Sequence, residues 1–351
     1  MAQTEKPEVR HPKIKKNSLG LTQRDYEGTM STLCAGCGHD SITAAIVQTF
    51  FELEIPPHRV AKLSGIGCSS KTPTYFLKEA HGFNSVHGRM PSIATGANAA
   101  NRELVYVGIS GDGDSLSIGI GQLCHAIRRN VNMIYVLENN GVYGLTKGQF
   151  SASADVGTKS KQGVENLMGP IDPVPLALTL GATFVARSFS GDKNQLVPLL
   201  KSGIQHRGFA LLDVISPCVT FNDHEGSTKS YAHTRFHNYK LVETDFVPLQ
   251  SEIKAEQTQG SVTAVTMHDG SVVRFRSVND GYDPTDRAAA YAHVQDTQAR
   301  GEVATGLIYI DPSGEDMHAF EETVQEALVN VPHERLCPGS EALAELQKNW
   351  R

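Results

Sequence analysis

Aspartate and asparagine side chains stand at two points of the sequence where a strand is predicted to end. The run Gly111-Asp112-Gly113-Asp114 follows the apolar segment LVYVGIS, and Asn140 follows NMIYVLEN. Glycines let a backbone approach a diphosphate, and the first turn of the next helix offers N–H donors. Carboxylates beside a phosphate need a bridging cation, for which Mg²⁺ is suited. The pattern predicts a diphosphate–magnesium site, with a helix N-cap and an Asn-Gly turn as the structural alternative.

Cysteines form a second group of candidate ligands. The six of them are Cys34, Cys37, Cys68, Cys124, Cys218 and Cys337. Cys34 and Cys37 make a C-x-x-C pair, whereas Cys68 and Cys218 each follow a predicted strand, at the sheet edge where the diphosphate loops are expected. A reducing compartment disfavours disulfides, and C-x-x-C occurs in iron–sulfur clusters, structural zinc sites and redox dithiols. The remaining two cysteines are expected to be a helix-core residue and a free surface thiol.

The elements that position these residues alternate between helix and strand. A helix is predicted over the segment that ends before Pro56. Apolar runs in RVAKLS, LVYVGIS, NMIYVLEN, ATFVARSF and FALLDVIS predict strands, with helices between them. Strand, helix and strand with a polar loop after each strand form a βαβ unit. The chain is therefore predicted to be an α/β protein with a doubly wound, mostly parallel sheet.

Three segments are predicted along the chain. A polar, Lys-rich extension covers residues 1–30, the main domain covers 31–220, and a C-terminal α+β arm or subdomain covers 221–351. The last segment includes a predicted hairpin turned at Asp269-Gly270. Its histidines at positions 224, 233 and 237 lack tight ligand spacing and are expected to be solvated or to lie at an interface.

Composition excludes several classes of protein. Hydrophobic residues make up 40% of the 351, enough for a sizeable core, and the formal net charge of −6 argues against nucleic-acid and anionic-membrane partners. No uninterrupted apolar run is long enough to span a bilayer. The opening segment lacks the apolar stretch of a signal peptide, so a cytoplasmic location is expected.

Five motifs follow one another in an order that resembles the β subunits of 2-oxoacid:ferredoxin oxidoreductases. They are CAGCGH, GIGCS, HGR, GDGD and NNxxYGxTxGQ, which lie between Cys34 and Gln149. Cys218 falls where the last cysteine of that family belongs. The resemblance implies a fold of the thiamine-diphosphate-binding type, with thiamine diphosphate, Mg²⁺ and one 4Fe–4S cluster as cofactors. It covers roughly the first 220 residues, as far as the motifs extend.

The resemblance also assigns residues to these cofactors. The implied cluster ligands are Cys34, Cys37, Cys68 and Cys218. The implied magnesium ligands are Asp112, Asn140 and the backbone carbonyl of Val142. The implied cofactor-binding residues are Ile66, Gly67, Cys68, Ser69, His87, Gly111, Asp112, Gly113, Asp114, Asn140, Val142, Gly144, Leu145 and Thr146.

Few side chains are needed at the reacting carbon, because the cofactor itself acts as the electron sink. His87 and Arg89 are the catalytic candidates, as a hydrogen-bond donor to the reacting oxygen and as a bidentate partner for a carboxylate. Lys71 and Leu145 join Arg89 as substrate-binding candidates. A cation at Lys71 suits the second carboxylate of 2-oxoglutarate, whereas pyruvate gains nothing from it. Each charged residue here can equally be an ordinary surface residue.

The resemblance implies an enzyme that needs a partner chain. Its activity is CoA-dependent oxidative decarboxylation of 2-oxoglutarate to succinyl-CoA and CO₂, which is reversible, with electrons passing through the cluster to ferredoxin. An α subunit is expected to supply the thiamine-activating glutamate and much of the CoA site, in a heterodimer or a dimer of heterodimers. The alternatives are a subunit specific for pyruvate or another 2-oxoacid, a non-redox thiamine decarboxylase, and a zinc-stabilised binding protein.

Overall fold

The structure is a computed structural model that describes residues 6, 11, 13–160, 162–247, 262–267, 271–277, 282–337, 339–348 and 350, with the backbone alone at 247, 262–263 and 275–277. The strands are β1 (Val60–Ser64), β2 (His81–Asn84), β3 (Val105–Gly111), β4 (Met133–Asn139), β5 (Val142–Tyr143), β6 (Gln149–Phe150), β7 (Phe184–Phe189), β8 (Phe209–Ile215), β9 (Asn238–Lys240), β10 (Val242–Val247), β11 (Val262–Thr266), β12 (Val272–Ser277) and β13 (Val303–Ile310).

The α-helices lie between Gly38 and Lys348. They are α1 (Gly38–Leu53), α2 (Met90–Ala100), α3 (Ile120–Arg128), α4 (Pro173–Thr179), α5 (Lys193–Gln205), α6 (Tyr231–His237), α7 (Arg287–Ala299), α8 (Met317–Phe320), α9 (His333–Leu336) and α10 (Gly339–Lys348). Short 3₁₀ turns are also present, and a π-helical turn covers Gly113–Ile118. No helix within the described ranges has the length and apolar character that crossing a bilayer requires.

A single large sheet forms the centre of the protein. Among the described residues it has eight strands in the order β2-β1-β3-β4-β8-β7-β13-β9. The first six are mutually parallel, β13 is antiparallel to β7, and β9 is parallel to β13. Strands β4, β7 and β8 are buried along their whole length, as continuous apolar runs in a parallel sheet require. The predicted α/β fold with a mostly parallel sheet is confirmed.

Helices cover both faces of the sheet because the winding reverses along it. The chain passes from β2 to β3 through α2 and from β3 to β4 through α3, and these two helices pack against each other. It later returns from β7 to β8 in the opposite direction through α5, and α5 packs beside α1. Right-handed crossovers in opposite directions place their helices on opposite faces. This is the doubly wound arrangement, and it leaves the carboxyl ends of the parallel strands open.

The C-terminal region contributes to the large sheet as well as forming a smaller one. Strands β13 and β9 extend the main sheet, while β10, β12 and β11 form a separate antiparallel sheet. Strand β10 packs against α5 and β13. The turn predicted at Asp269-Gly270 lies outside the described residues, although the strands on either side of it pair antiparallel. The predicted domain boundary at residue 220 stays a prediction. Two strands beyond this boundary, β13 and β9, complete the main sheet.

A buried ion-pair network crosses the sheet between β7 and β8. Arg187 lies directly opposite Asp213 in the strand register, and its Nε donates to Asp213 Oδ2 at 2.6 Å. Its other donors reach Asp172, which caps the N-terminus of α4. Arg187 and Asp213 are both buried. Removal of one member would leave a buried charge without its partner.

The substitution Arg187→Met tests this network. We expect the free energy of unfolding to fall by about 3–5 kcal/mol, because Asp213 would stay buried without a cation. Chemical denaturation measures the change. The matched control is Arg335→Met, which breaks the exposed pair of Arg335 with Glu326 and should cost about 1 kcal/mol or less. Equal losses in the two variants would contradict the assigned role of Arg187.

Candidate active site

The candidate site lies where four parallel strands end at one edge of the sheet. Strand β3 lies between β1 and β4, and β4 lies beside β8. The segments that follow these strands carry Cys68, Asp112, Asn140 and Cys218. Ligands of open α/β sheets bind in the crevice beyond the carboxyl ends of the strands. The predicted ligands therefore share the expected location.

Asp112 links the loops after β3 and β4. Its side chain is only 1% exposed. Oδ2 accepts hydrogen bonds from the Gly141 N–H at 2.9 Å and the Ser153 hydroxyl at 2.6 Å, and a further one from the Ser151 hydroxyl. Oδ1 lies 3.5 Å from the Asn140 nitrogen. The side chain does not cap the helical turn that follows it, so the carboxylate serves the neighbouring loop and not its own helix.

Asn140 lies in a tight turn beside Asp112. Its Oδ1 accepts a hydrogen bond from the Val142 N–H at 3.0 Å, and its backbone carbonyl accepts one from Asn222 at 2.8 Å. The structural alternative of an Asn-Gly turn is thus present here. The turn also places the proposed ligands Asn140 and Val142 next to the Asp112 carboxylate. An amide oxygen, a carbonyl and a carboxylate are oxygen ligands of the kind Mg²⁺ prefers.

The Asp114 side chain lies beneath the loops that follow β1 and β2. It is 2% exposed, and its Oδ1 accepts hydrogen bonds from the Ile66 N–H at 3.2 Å and the Gly88 N–H at 2.8 Å. His87 Nδ1 also contacts this oxygen. A Cβ built on Gly65 would lie 1.8 Å from Asp114 Oδ2, so glycine is required where the carboxylate passes under the loop. Asp114 therefore ties the loops after β1 and β2 to β3.

A cavity of about 100 Å³ opens among these loops. Its walls include every residue predicted to bind the cofactor, together with two that were not predicted. The lining residues are His39, Ile66, Gly67, Cys68, Ser69, His87, Gly111, Asp112, Gly113, Asp114, Asn140, Val142, Tyr143, Gly144, Leu145 and Thr146. Lys71 and Arg89 are not part of this wall, and the Arg89 side chain is exposed. Their roles, and that of His87, stay predictions.

Of the four predicted cluster ligands, Cys68 lines this cavity, and Cys218 approaches the same wall at Gly144. A Cβ built on Gly144 would lie 3.4 Å from Cys68 Sγ and 3.6 Å from Cys218 Sγ, so a larger residue there would fill the space between two sulfurs. Burial raises the pKa of the Cys68 and Cys218 thiols, and the nearby Cys34 charge raises both further. Burial also raises the pKa of Cys37 to about 12.

Cysteine thiolates are the usual ligands of iron–sulfur clusters, so the residue type at these four positions fits such a centre. Burial disfavours the thiolate form of Cys37, Cys68 and Cys218 in the chain itself, and metal binding would have to remove their protons. Within the described chain, no three Cys, His, Asp or Glu side chains are arranged to hold a single metal ion. Cys34 is exposed, and the Thr220 hydroxyl lies 3.6 Å from its sulfur. The 4Fe–4S assignment stays a prediction.

Two residues of the site were missed by sequence reasoning. His39 is the second residue of α1 and is buried against the cavity, where desolvation lowers its pKa to about 4. Tyr143 donates a hydrogen bond to the Gly113 carbonyl at 2.9 Å, and its ring packs against His87. Both lie inside the motifs CAGCGH and NNxxYGxTxGQ, and that position is the signal that marks them.

Comparisons with known proteins identify related chains. The family model for the thiamine pyrophosphate enzyme C-terminal TPP-binding domain matches residues 65–214. The β subunit of the 2-oxoacid:ferredoxin oxidoreductase of Saccharolobus solfataricus is 43% identical over 211 residues, which are 60% of this chain and 68% of that subunit. The chain belongs to this family of β subunits. The predicted family and the predicted thiamine-type fold are confirmed.

Two further relatives carry more specific names. The 2-oxoglutarate oxidoreductase subunit KorB of Mycobacterium tuberculosis is 45% identical over 191 residues, which are 54% of this chain and 51% of that subunit. A chain of the 2-oxoglutarate:ferredoxin oxidoreductase from Magnetococcus marinus, solved with 2-oxoglutarate, coenzyme A and succinyl-CoA bound, superposes with a TM-score of 0.72. That likeness has 28% identity and covers 95% of this chain and 97% of the other.

The two remaining cysteines of this β subunit lie away from the site. Cys337 is exposed, as predicted, whereas Cys124 on α3 is only half-buried and is not one of the buried core residues, so the expected core position is wrong. Among the histidines of the C-terminal region, His233 and His237 stack on each other with ring centroids 4.1 Å apart. They are separate from the cavity walls described above.

The substitution Gly65→Ala tests the role of the Asp114 carboxylate. The added methyl group must displace this carboxylate and its hydrogen bonds, so we expect a loss of about 1–3 kcal/mol in the free energy of unfolding. Gly121→Ala is the matched control, because no atom lies within 4 Å of the added Cβ and alanine favours the helix by up to about 1 kcal/mol. Denaturant unfolding of both variants gives the comparison. A neutral Gly65→Ala would refute the close approach.

Proposed function

We propose that this chain is the β subunit of a 2-oxoglutarate:ferredoxin oxidoreductase. With an α subunit, it would convert 2-oxoglutarate and CoA into succinyl-CoA, CO₂ and a proton, while two electrons pass to ferredoxin. The reaction is reversible. One observation carries the proposal: the diphosphate loops and Cys68 line one cavity at the carboxyl edge of the sheet, and Cys218 lies beside the same wall at Gly144. A cytoplasmic location is part of the proposal.

The residues of this chain have distinct proposed tasks. Thiamine diphosphate supplies a carbon nucleophile and an electron sink for a 2-oxoacid, and a 4Fe–4S cluster accepts the electrons. Asp112, Asn140 and the Val142 carbonyl would hold Mg²⁺. Gly111 and Gly113 let the backbone approach the diphosphate. The cysteines that would hold the cluster are Cys34, Cys37, Cys68 and Cys218.

A partner subunit is part of the proposal because the cavity is small. Sites for cofactors and other small molecules usually measure about 300–1,000 Å³, whereas this cavity measures about 100 Å³. The pocket walls of this chain therefore cover only part of a cofactor of that size. The naming of its relatives as β subunits supports an α subunit as the chain that provides the rest.

The choice of 2-oxoglutarate rests on two kinds of support. Several relatives are named for 2-oxoglutarate, among them KorB of Mycobacterium tuberculosis and the Magnetococcus marinus enzyme. Lys71 lies three residues after Cys68, where its cation suits a second carboxylate. Pyruvate or another 2-oxoacid is the alternative substrate. A non-redox thiamine decarboxylase leaves the gathering of four cysteines unexplained.

A visible spectrum of the chain purified anaerobically with its α subunit tests the redox proposal. We expect a broad band near ~400 nm from a cysteine-ligated cluster. The band should bleach when 2-oxoglutarate and CoA are added together, because electrons from the substrate would reduce the cluster. Bleaching with pyruvate and not with 2-oxoglutarate would contradict the proposed substrate alone.

Cysteine variants make this experiment specific. Cys218→Ser should lose the band, whereas Cys124→Ser and Cys337→Ser should keep it, since the last two residues lie away from the cavity. Iron and sulfide analysis of the same samples separates a lost cluster from an altered one. A protein without iron and with bound zinc would refute the redox proposal.

The substitution Lys71→Met tests the proposed specificity. Loss of a charge-assisted contact to the distal carboxylate should lower kcat/KM for 2-oxoglutarate by about 10- to 100-fold. Activity with pyruvate should change little, because pyruvate has no distal carboxylate. Lys193→Met, at the exposed start of α5, is the control and should leave both values unchanged. Equal losses for both substrates would assign Lys71 to another task.

A further inference from the structure

A buried polar group at the end of β4 joins several of the cysteine-bearing loops. It consists of Glu138, Thr72, His39 and Ser216, and we name it the Glu138 hub. Glu138 is 0% exposed, and the Thr72 hydroxyl donates to both of its oxygens, at 3.2 Å and 3.0 Å. His39 Nδ1 lies 3.6 Å from Glu138 Oε2 and 2.6 Å from Ser216 Oγ.

Each member of the hub lies close in sequence to a predicted cofactor ligand. Thr72 belongs to the 3₁₀ segment that begins directly after Cys68. His39 opens α1, whose N-cap is Cys37, and its backbone N–H is hydrogen-bonded to the Cys37 thiol. Ser216 lies two residues before Cys218, and Glu138 itself lies two residues before Asn140. The hub thus connects segments that meet only in the tertiary structure.

The N-terminus of α1 is held against the segment before Cys218 by close packing as well. The Gly38 N–H donates to the Pro217 carbonyl at 3.3 Å. A Cβ built on Gly38 would lie 2.5 Å from Ser216 Oγ. Cys37 and Cys218 therefore already have fixed relative positions. The hydrogen bonds from Thr72 to Glu138 then attach the Cys68 segment to the Cys37 and Cys218 segments.

Burial of the Glu138 hub costs free energy unless its polar groups form hydrogen bonds with one another. A carboxyl group, a hydroxyl and an imidazole are all withdrawn from water here, and each unsatisfied group costs free energy. A leucine at position 138 would pack more simply in a buried strand. The polar residues at these positions are therefore best explained by the cysteine-bearing segments that their contacts hold together.

We propose that Glu138 is a positioning residue, which sets the separation between the Cys68 segment and the Cys37 and Cys218 segments through Thr72, His39 and Ser216. The inference rests on the proposed function for the identity of what the cysteines bind. The positioning itself exists in the chain without a cofactor, so it can be measured separately.

Cysteine alkylation in the full-length, metal-stripped and reduced chain tests the proposal. Iodoacetamide is the probe, and mass spectrometry follows each cysteine. In Glu138→Leu we expect Cys68 to react about tenfold faster or more, because the Thr72 hydroxyl loses both of its acceptors and its segment opens more often. Cys37 should react faster by a smaller factor, because His39 loses only a contact of 3.6 Å and keeps its hydrogen bond to Ser216. In Glu138→Gln, which keeps an acceptor for Thr72 and adds a donor, the rates should stay within about twofold of the unchanged chain.

Two controls and a second test variant make the outcome specific. Cys124, on α3, is the internal control and should react at the same rate in every variant. Gln195→Leu removes another buried polar group, which bonds Ser188 and Thr305 at the far side of the sheet, and should leave Cys37 and Cys68 unchanged. Thr72→Val is a milder variant that stays folded if Glu138→Leu does not. It should accelerate Cys68 more than Cys37.

The result also separates this inference from the proposed function. Unchanged rates for Cys37 and Cys68 in Glu138→Leu and Thr72→Val would overturn the positioning role, whatever the visible spectrum shows. A Glu138→Gln variant as reactive as Glu138→Leu would overturn it too, because the conservative replacement keeps the hydrogen bond to Thr72. A chain that takes up no iron would refute the proposed cluster and leave the alkylation result valid.

Discussion

Burial of carboxylates at the carboxyl edge of the sheet is the constraint on which the candidate site depends. Asp112, Asp114 and Glu138 are all withdrawn from water there, and a buried carboxylate without partners is very costly. Asp112 takes its partners from the loop after β4, Asp114 from the loops after β1 and β2, and Glu138 from the segment after Cys68. Each one fixes a loop that belongs to another strand, and the cavity is the space that remains between these loops.

Small residues complement the carboxylates at this edge. Gly65 leaves room for the Asp114 carboxylate, and Gly144 leaves room between the sulfurs of Cys68 and Cys218. Side chains at these two positions would occupy space that the polar groups and thiols need. The edge is therefore built from backbone and short polar side chains, which suits a diphosphate and a metal centre more than an apolar ligand. It also leaves a cavity of only about 100 Å³ between the loops.

The C-terminal region stabilises the sheet at the edge beyond β7. Without it, β7 would be an edge strand with unpaired backbone groups, whereas β13 pairs with it antiparallel. The buried pair of Arg187 and Asp213 lies between β7 and β8, one strand further in. Asp213 also accepts a hydrogen bond from Asn139 at 3.1 Å, and Asn139 accepts one from the Ser153 hydroxyl that binds Asp112. A continuous polar network thus connects the ion pair with the predicted magnesium ligand.

Local patterns were sufficient for five of the six parallel strands, and they indicated the sheet edge at which a site is expected. The apolar runs of β3, β4 and β8 identify buried strands, and parallel strands bring their carboxyl ends to one edge, so the polar loops after them had to meet. The exposed edge strand β2 has no such run and was not predicted. His39 and Tyr143 were not predicted either, since nothing in their local spacing tells which way a side chain points.

The sequence by itself determined which chemical groups stand at the strand ends, because residue type and periodicity are local properties. The tertiary structure decided which of those groups face the cavity and which bind one another. Asp112 and Asp114 are two residues apart, yet one reaches the loop after β4 and the other the loops after β1 and β2. The reason is that these partners are set by the strand order, with β3 between β1 and β4. Strand order depends on long-range packing, which no local pattern records.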